Sequence, residues 1–222
     1  MREQFKYGKR QHVDALFDEG TIRIGTLHDY RLDEKGDMVA DAKEGIKTVS
    51  GTVSYANKED IWDNEALRSI VHVEGEGVNL NIENLVIKNC NIHYEDYYVF
   101  SVAADYSAKM HKLWHEAQAY DCCYRICYPR TFLKAISKRL AGIARFLGCA
   151  PVIYYEKGKG IDIYSDLIKQ HPALFKAGED YGAQNEVRAV WQPLNPGPME
   201  PKIIKVPNLG KYCSRHRCIG NR

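Results

Sequence analysis

The sequence predicts an α+β fold in which a strongly curved, mixed or antiparallel sheet carries flanking helices. Short β-prone runs recur along the chain, amphipathic segments with helical spacing separate them, and glycine or proline marks most of the junctions. A chain of 222 residues can bury one substantial core, and its 45% hydrophobic and 27% charged residues exclude bulk disorder. No run in the sequence approaches the ~18 apolar residues that a membrane span requires.

The first thirty residues predict a strand, a helix and a second strand. A β-prone run at residues 4–7 precedes a segment from Arg10 to Glu19 whose apolar residues have helical spacing. Gly20 lies where a left-handed glycine would end that helix, and the β-branched run at 21–24 alternates as a half-buried strand does. The polar, acid-rich residues 28–48 are typical of a long loop over one end of the sheet.

Residues 46–96 predict a β-rich insertion, because apolar and polar residues alternate there and the polar positions are mostly Asn and surface charge. Around it, residues 1–192 are expected to form a single α+β domain. Its later elements are a strong strand at 97–102, helices near 108–117 and 129–140, and a strand at 186–191. Four prolines between 193 and 201 then predict that residues 193–222 form a proline-rich linker and a basic C-terminal tail.

The net charge of +2 conceals an asymmetry, because residues 201–222 carry a charge of +6 and the rest of the chain carries −4. A basic tail can contact nucleic acid, an acidic protein or only solvent. The predicted helix at 129–140 adds Arg130, Lys134 and Lys138 on one face, at spacings of four residues. A nucleic-acid partner for the tail and this helix face is therefore one alternative, and a solvated surface is the other.

Seven cysteines, in a chain whose first residues lack an apolar signal core, predict reduced thiols in the cytoplasm. Cys213, His216 and Cys218 lie close together, but their spacing is not that of structural zinc sites, so no metal is predicted. A cysteine nucleophile assisted by His111 or His115 is a further alternative, although nothing in the sequence brings either histidine to a thiol.

The most informative segment for chemistry is residues 181–188. Gln184 and Glu186 are two residues apart at the start of a strand, so their side chains are expected to share a face. A carboxylate beside an amide can bind a sugar hydroxyl and stabilise an oxocarbenium-like centre. The alternative is that Glu186 forms an ordinary ion pair with Arg188 or a lysine.

The order of these elements resembles the ADP-ribosyltransferase fold. Members of that superfamily begin with a strand that holds NAD, then a helix ending in glycine and a second strand. They carry a serine or tyrosine on a middle strand and a glutamate, often in Gln-x-Glu, on a late strand. The matching positions here are Lys6 or Tyr7, Ser101, and Gln184 with Glu186. The chain is also similar to a bacterial and phage family of unknown function, in stretches that cover most residues outside 46–96.

The resemblance implies transfer of ADP-ribose from NAD to a protein or nucleic acid, by a bacterial toxin or a phage-defence effector. Glu186 would stabilise the charge that develops on the ribose, and Gln184 would orient the acceptor. Where typical members carry Arg or His on the first strand, this chain has Lys6 and Tyr7, so Arg23 or Arg31 could supply the cation for the pyrophosphate. An antitoxin or regulatory protein would then be a natural partner.

Two other classes of function stay open. One is a non-enzymatic module that binds nucleic acid or protein, with the 46–96 insertion as its contact surface. The other is a hydrolase that consumes NAD or a related nucleotide without an acceptor. The transferase hypothesis requires Tyr7, Ser101 and Glu186 to converge on one cleft. It also expects Glu186→Ala to abolish activity and to leave thermal stability nearly unchanged.

Overall fold

The computed structural model describes residues 2–31, 41–72, 79–156, 158–195 and 197–219. Its mixed α+β architecture confirms the predicted fold class at that level. In chain order the helices and strands are β1 (Gln4–Gly8), α1 (Arg10–Glu19), β2 (Thr21–Thr26), β3 (Ile46–Asn57), α2 (Lys58–Asp63), α3 (Glu65–Ile70), β4 (Asn81–His93), β5 (Tyr98–Ala103), α4 (Ala108–Gln118), β6 (Cys122–Ile126), α5 (Pro129–Leu140), β7 (Ala144–Pro151), β8 (Ile153–Tyr155), β9 (Ile161–Asp162), β10 (Phe175–Ala177), α6 (Gly178–Tyr181), β11 (Glu186–Pro193), β12 (Lys202–Lys205) and β13 (Cys213–Cys218).

The main sheet has the strand order β12-β2-β5-β1-β6-β13, with β11 added beside β5 and β7 beside β11. All of its pairs are antiparallel. Strand β5 pairs along its whole length with β11, whereas β2 and β1 divide its other edge. Strand β2 pairs there with residues 98 and 99, and β1 pairs only with Ala103. The two strands therefore separate opposite residues 100–102, and that opening positions the candidate site.

Helices α1 and α5 cover the main core. Gly20 ends α1 in the left-handed conformation, as predicted, and its N–H bonds the carbonyls of Ala15 and Leu16. Pro129 begins α5, whose apolar face buries Phe132 and Ile136 against the sheet. The buried apolar residues of this core include Leu16, Ile24, Phe100, Tyr124, Ile126, Leu140, Ala189 and Trp191.

The predicted insertion supplies β3 and β4 of a second sheet with the order β4-β3-β9, in which β9 comes from residues 161–162. Helices α2 and α3 fold over it around a separate core that includes Val49, Val53, Ile61, Leu67 and Phe175. The sequence identified the β-structure of this region but not its two short helices. Those helices begin at Asn57 and Asn64, whose side chains accept hydrogen bonds from the backbone of the first turn.

The C-terminal segment differs from the predicted linker and tail. Strand β12 pairs with β2, and β13 pairs with β6, so residues 202–218 supply two of the edge strands of the main sheet, and β7 is a third. Strand β11 ends at Pro193, in agreement with the predicted break. The β-branched residues at 203–204 nevertheless form the centre of the short strand β12. Among the described residues no helix has both the length and the apolar composition to cross a membrane.

The prediction of reduced thiols is also corrected, because Cys122 and Cys218 form a disulfide across β6 and β13. These residues face each other in the strand register, which no local sequence pattern could indicate. Cys123 points to the opposite side of β6 from Cys122, as the alternation of a strand requires.

Candidate functional site

Glu186 is the first residue of β11 and lies almost wholly inside the protein, with 7% of its surface exposed. Its Oε1 accepts a hydrogen bond of 2.7 Å from Arg188 Nε, two residues along the same face of the strand. Its Oε2 accepts a longer contact of 3.4 Å from Lys176 Nζ. The backbone N–H of Glu186 donates to the hydroxyl of Tyr154 at 2.9 Å, which fixes the start of the strand.

Arg188 joins Glu186 to a second acid that the sequence did not single out. Its Nη1 and Nη2 donate to the two carboxylate oxygens of Glu44 at 2.8 and 2.5 Å. Nη1 also donates to the carbonyl of Ala173 at 2.8 Å. Both Glu44 and Arg188 are buried, so this is a desolvated, bidentate ion pair. In the sequence, Glu44 was one acid in a loop rich in acids, and only the fold distinguishes it.

Lys176 on β10 completes a buried network of two acids and two cations. Its Nζ lies 3.4 Å from Glu186, 3.9 Å from Glu44 and 3.1 Å from Gln184 Oε1. Its ammonium also lies over the ring of Tyr181, 4.2 Å from the centroid. Gln184 and Glu186 therefore contact the same lysine, but Gln184 lies in a short 3₁₀ turn ahead of β11 and not on the strand face that the spacing predicted.

The network keeps Glu186 ionised. Burial raises the pKa of Glu186, but the charges of Arg188 and Lys176 and a hydrogen bond from Arg188 outweigh burial and hold the pKa well below its usual range. Burial has the larger effect on Glu44 and raises its pKa despite Arg188. For Arg188 burial lowers the pKa, yet the two carboxylates raise it well above its ordinary value. The alternative considered from the sequence, an ion pair of Glu186 with Arg188 or a lysine, is therefore present, but the pair is buried.

Lys6 reaches this site from the first strand. Its Nζ donates to the carbonyl of Ser101 at 2.6 Å, at the point where β1 has left the edge of β5. The lysine thus satisfies a backbone acceptor that strand separation leaves without a neighbour. Burial lowers the pKa of Lys6 to about 8, and the charge of Glu186 acts against that shift.

Ser101 lies between Lys6 and Glu186, on the middle strand. Its hydroxyl helps to hold the pKa of Glu186 down. Ser101 Oγ is nevertheless buried, and it forms no hydrogen bond of ordinary geometry with any of the described residues. The hydroxyl is therefore close to Glu186 and retains capacity for a further hydrogen bond. Lys6 from β1, Ser101 from β5 and Glu186 from β11 therefore lie close together, whereas the convergence expected from the sequence included Tyr7 in place of Lys6.

Arg23 and Tyr30 border the same opening. Arg23 is 43% exposed and pairs with Asp29 at 2.6 Å, and its charge lowers the pKa of Lys6. Tyr30 packs on Gly25 of β2, where an added Cβ would lie 2.8 Å from the tyrosine hydroxyl. Burial raises the pKa of Tyr30 to about 12, and the charges of Arg23, Glu186 and Arg188 also act on it. Tyr30 is a second residue of this site that no sequence pattern singled out.

Two residues suggested by the sequence lie elsewhere. Tyr7 is buried against Tyr106 and His111, and its hydroxyl accepts from Ser107 N–H at 2.9 Å. The first strand therefore offers Lys6, not Tyr7, to the opening. Arg31 is held in its own loop, where its Nε donates to the carbonyl of Glu44 at 2.5 Å. Residues 32–40 of that acid-rich loop lie outside the described residues.

The structure gives little support to the two alternative sites considered from the sequence, a cysteine nucleophile and a metal site. Burial raises the pKa of the Cys123 and Cys213 thiols to about 12, which disfavours a thiolate nucleophile at neutral pH. Cys218 is bonded to Cys122, and no metal-ligating cluster occurs among the residues that the structure describes. An open depression of about 400 Å³ at the start of α1, lined by residues such as Lys9 and Asp14, does not include Glu186.

The arrangement can stabilise positive charge beside the ionised carboxylate of Glu186 and can hold an anion beside Lys6 and Arg23. Comparison with protein-family models, with curated proteins and with solved structures finds no match to this chain.

Proposed function

We propose that the opening between β1 and β2 binds NAD and that the protein transfers ADP-ribose from it to a macromolecule. One observation supports this above others: Lys6, Ser101 and Glu186, from the first, a middle and a late strand, meet at the point where β1 leaves β5. A toxin or phage-defence effector, acting on protein or nucleic acid, is the biological role that such an activity favours.

Glu186 would act as a fixed anion. As the bond from the ribose C1′ to the nicotinamide nitrogen breaks, its electron pair leaves with nicotinamide and positive charge develops on the sugar. A carboxylate placed there lowers the energy of that transition state. Because its pKa lies well below the ordinary range, Glu186 is a poor proton acceptor. The acceptor's proton would then pass to solvent as its nucleophilic atom bonds to C1′.

The contacts of Glu186 differ in strength, and this indicates how a substrate could engage it. The bond from Arg188 is short, whereas the contact from Lys176 is 3.4 Å long. A ribose hydroxyl would therefore displace Lys176 more readily than Arg188. Ser101 Oγ has hydrogen-bonding capacity left for the same sugar. Lys6 and Arg23 carry the charge expected to face a pyrophosphate.

Two other functions would use the same residues differently. An NAD or nucleotide glycohydrolase would accept water at C1′ instead of a macromolecule. A non-enzymatic binding module is favoured by one observation, the burial of Glu186 within a charge-balanced network, which is also how a purely structural ion pair is built.

Incubation with NAD labelled in its adenylate part separates these functions. Label on a macromolecule supports the transferase, free labelled ADP-ribose supports the glycohydrolase, and no turnover contradicts both. Glu186→Gln keeps the volume of the side chain and removes its charge, so turnover should fall by at least about 100-fold.

The matched control is Glu65→Gln, which also removes the charge of an acid paired with a buried lysine, Lys47 at 3.2 Å. It lies by the second core and should leave turnover unchanged. Thermal unfolding of both variants shows whether any loss of turnover exceeds the loss of folded protein. Equal losses in the two variants would contradict the role given to Glu186.

A further inference from the structure

Helix α5 presents a row of cations to solvent. Arg130, Lys134 and Lys138 are all exposed, and spacings of four residues separate them by about 6 Å along the helix axis. The opposite face, with Phe132 and Ile136, is buried in the main core, so the orientation of the row is fixed. The helix contains no acidic residue.

The charges of this row are not balanced by ion pairs. Within the described ranges, no carboxylate comes within 4.0 Å of Arg130, Lys134 or Lys138. The cations of the C-terminal segment behave differently, since Lys205 pairs with Glu19 at 3.1 Å and Arg215 pairs with Asp14 at 2.5 Å. The fold has therefore neutralised part of the basic tail and left the helix row available.

An exposed aromatic ring and a fourth cation extend the row at the start of α5. Tyr128 precedes the helix and is 64% exposed. The N–H of Tyr128 donates to the carbonyl of Tyr212 at 3.2 Å, which holds the turn at Leu209–Tyr212 against the helix start. In that turn Lys211 lies over the ring of Tyr212, 5.0 Å from its centroid. Basic and aromatic side chains from two distant segments thus lie near the same end of the helix; we call Tyr128, Arg130, Lys134, Lys138 and Lys211 together the α5 surface.

We propose that the α5 surface binds single-stranded nucleic acid. Its evenly spaced, unbalanced cations complement a chain of phosphates, and counterion release from such a chain supplies binding energy. The exposed ring of Tyr128 offers a face on which an unpaired base can stack, and bases within a duplex cannot use it. Among polyanions, the combination of a cation row with an exposed ring favours a single strand over a duplex or an acidic protein. This inference does not depend on the transferase activity.

The test is fluorescence anisotropy with labelled 12-nucleotide oligo(dT) and oligo(U), and with a duplex of equal length. The triple variant R130A/K134A/K138A should bind both single strands more than about tenfold more weakly at 0.15 M salt. Its slope of log affinity against log salt should fall by about 2, because each phosphate contact to a single strand contributes about 0.7. Comparing oligo(dT) with oligo(U) shows whether DNA or RNA is preferred.

The control is K58A/R68A/K88A, which removes three exposed cations from the second sheet and its helices. It should bind as the unaltered protein does. Tyr128→Ala keeps every charge and should weaken binding to single strands about tenfold, with little change in the salt slope. The proposal is overturned if the two triple variants lose affinity equally, or if Tyr128→Ala has no effect. Competition by polyglutamate at charge concentrations equal to the oligonucleotide would also overturn it.

Discussion

Glu44 and Arg188 form a bidentate ion pair although 144 residues of sequence separate them. The pair joins the loop ahead of β3 to the strand that carries Glu186, and the same guanidinium donates to both acids. The positive charges of Arg188 and Lys176 balance the negative charges of Glu44 and Glu186, so the network is neutral as a whole. Its members are buried, so removing any one of them leaves an unbalanced charge where water cannot screen it.

Glu44→Ala is therefore expected to lower the free energy of unfolding by about 3–5 kcal/mol. Chemical denaturation of the purified protein measures this. Asp166→Ala, which removes the acid of an exposed pair with Lys169, is the control and should hardly move the midpoint. A loss for Glu44→Ala as small as that of the control would show that the network contributes little to stability.

The same reasoning changes the expectation for Glu186→Ala. From the sequence, which does not show that Glu186 is buried, this variant was expected to leave thermal stability nearly unchanged. The buried contacts with Arg188 and Lys176 instead predict a clear loss, which is why the isosteric Glu186→Gln is the more informative test of function.

Lys6 provides a test by pH. Its pKa in the folded protein is about 8, below the value of 10.5 for an exposed lysine. The unfolded chain therefore binds more protons between pH 8 and 10.5, and the contribution of Lys6 to stability should become more favourable as pH rises through that window. Unfolding free energies of the protein and of Lys6→Met, measured from pH 7 to 10.5, should show the difference change in favour of the native lysine above pH 8. A pH-independent difference would show that Lys6 titrates alike in both states.

The sequence predicted those features that depend on local pattern. The end of α1 at Gly20 and the β-structure at 46–96 follow from glycine conformation and from the alternation of apolar and polar residues. The choice between Lys6 and Tyr7 could not be made, because it depends on where β1 separates from β5. Local sequence patterns also cannot show which distant residues pair, as Glu44 does with Arg188 and Cys122 does with Cys218.

The disulfide predicts a dependence of stability on redox conditions. It joins residues separated by 96 positions, and closing a loop of that length restricts the unfolded chain, so Cys218→Ser should cost about 2–5 kcal/mol. A dithiol reductant should lower the stability of the unaltered protein to that of the variant and leave the variant itself unchanged. Cys90→Ser, at a free cysteine on β4, is the control and should retain the response to reductant. A native protein that is indifferent to reductant would contradict the bond.

Gly20 connects the end of α1 to the C-terminal segment. Its φ of +70° disfavours other residues, and an added Cβ would lie 1.9 Å from the carbonyl oxygen of Val206. The Gly20 carbonyl also accepts from Val206 N–H at 2.9 Å, so the two backbones cannot move apart without losing a hydrogen bond. Gly20→Ala should therefore lower the free energy of unfolding by at least about 2 kcal/mol, through left-handed strain and the displacement of β12. Gly142→Ala, where nothing lies within 4 Å of the added Cβ, is the matched control and should be neutral or slightly stabilising. Equal midpoints of thermal unfolding for the two variants would show that residues 202–206 pack on α1 more loosely than the structure places them.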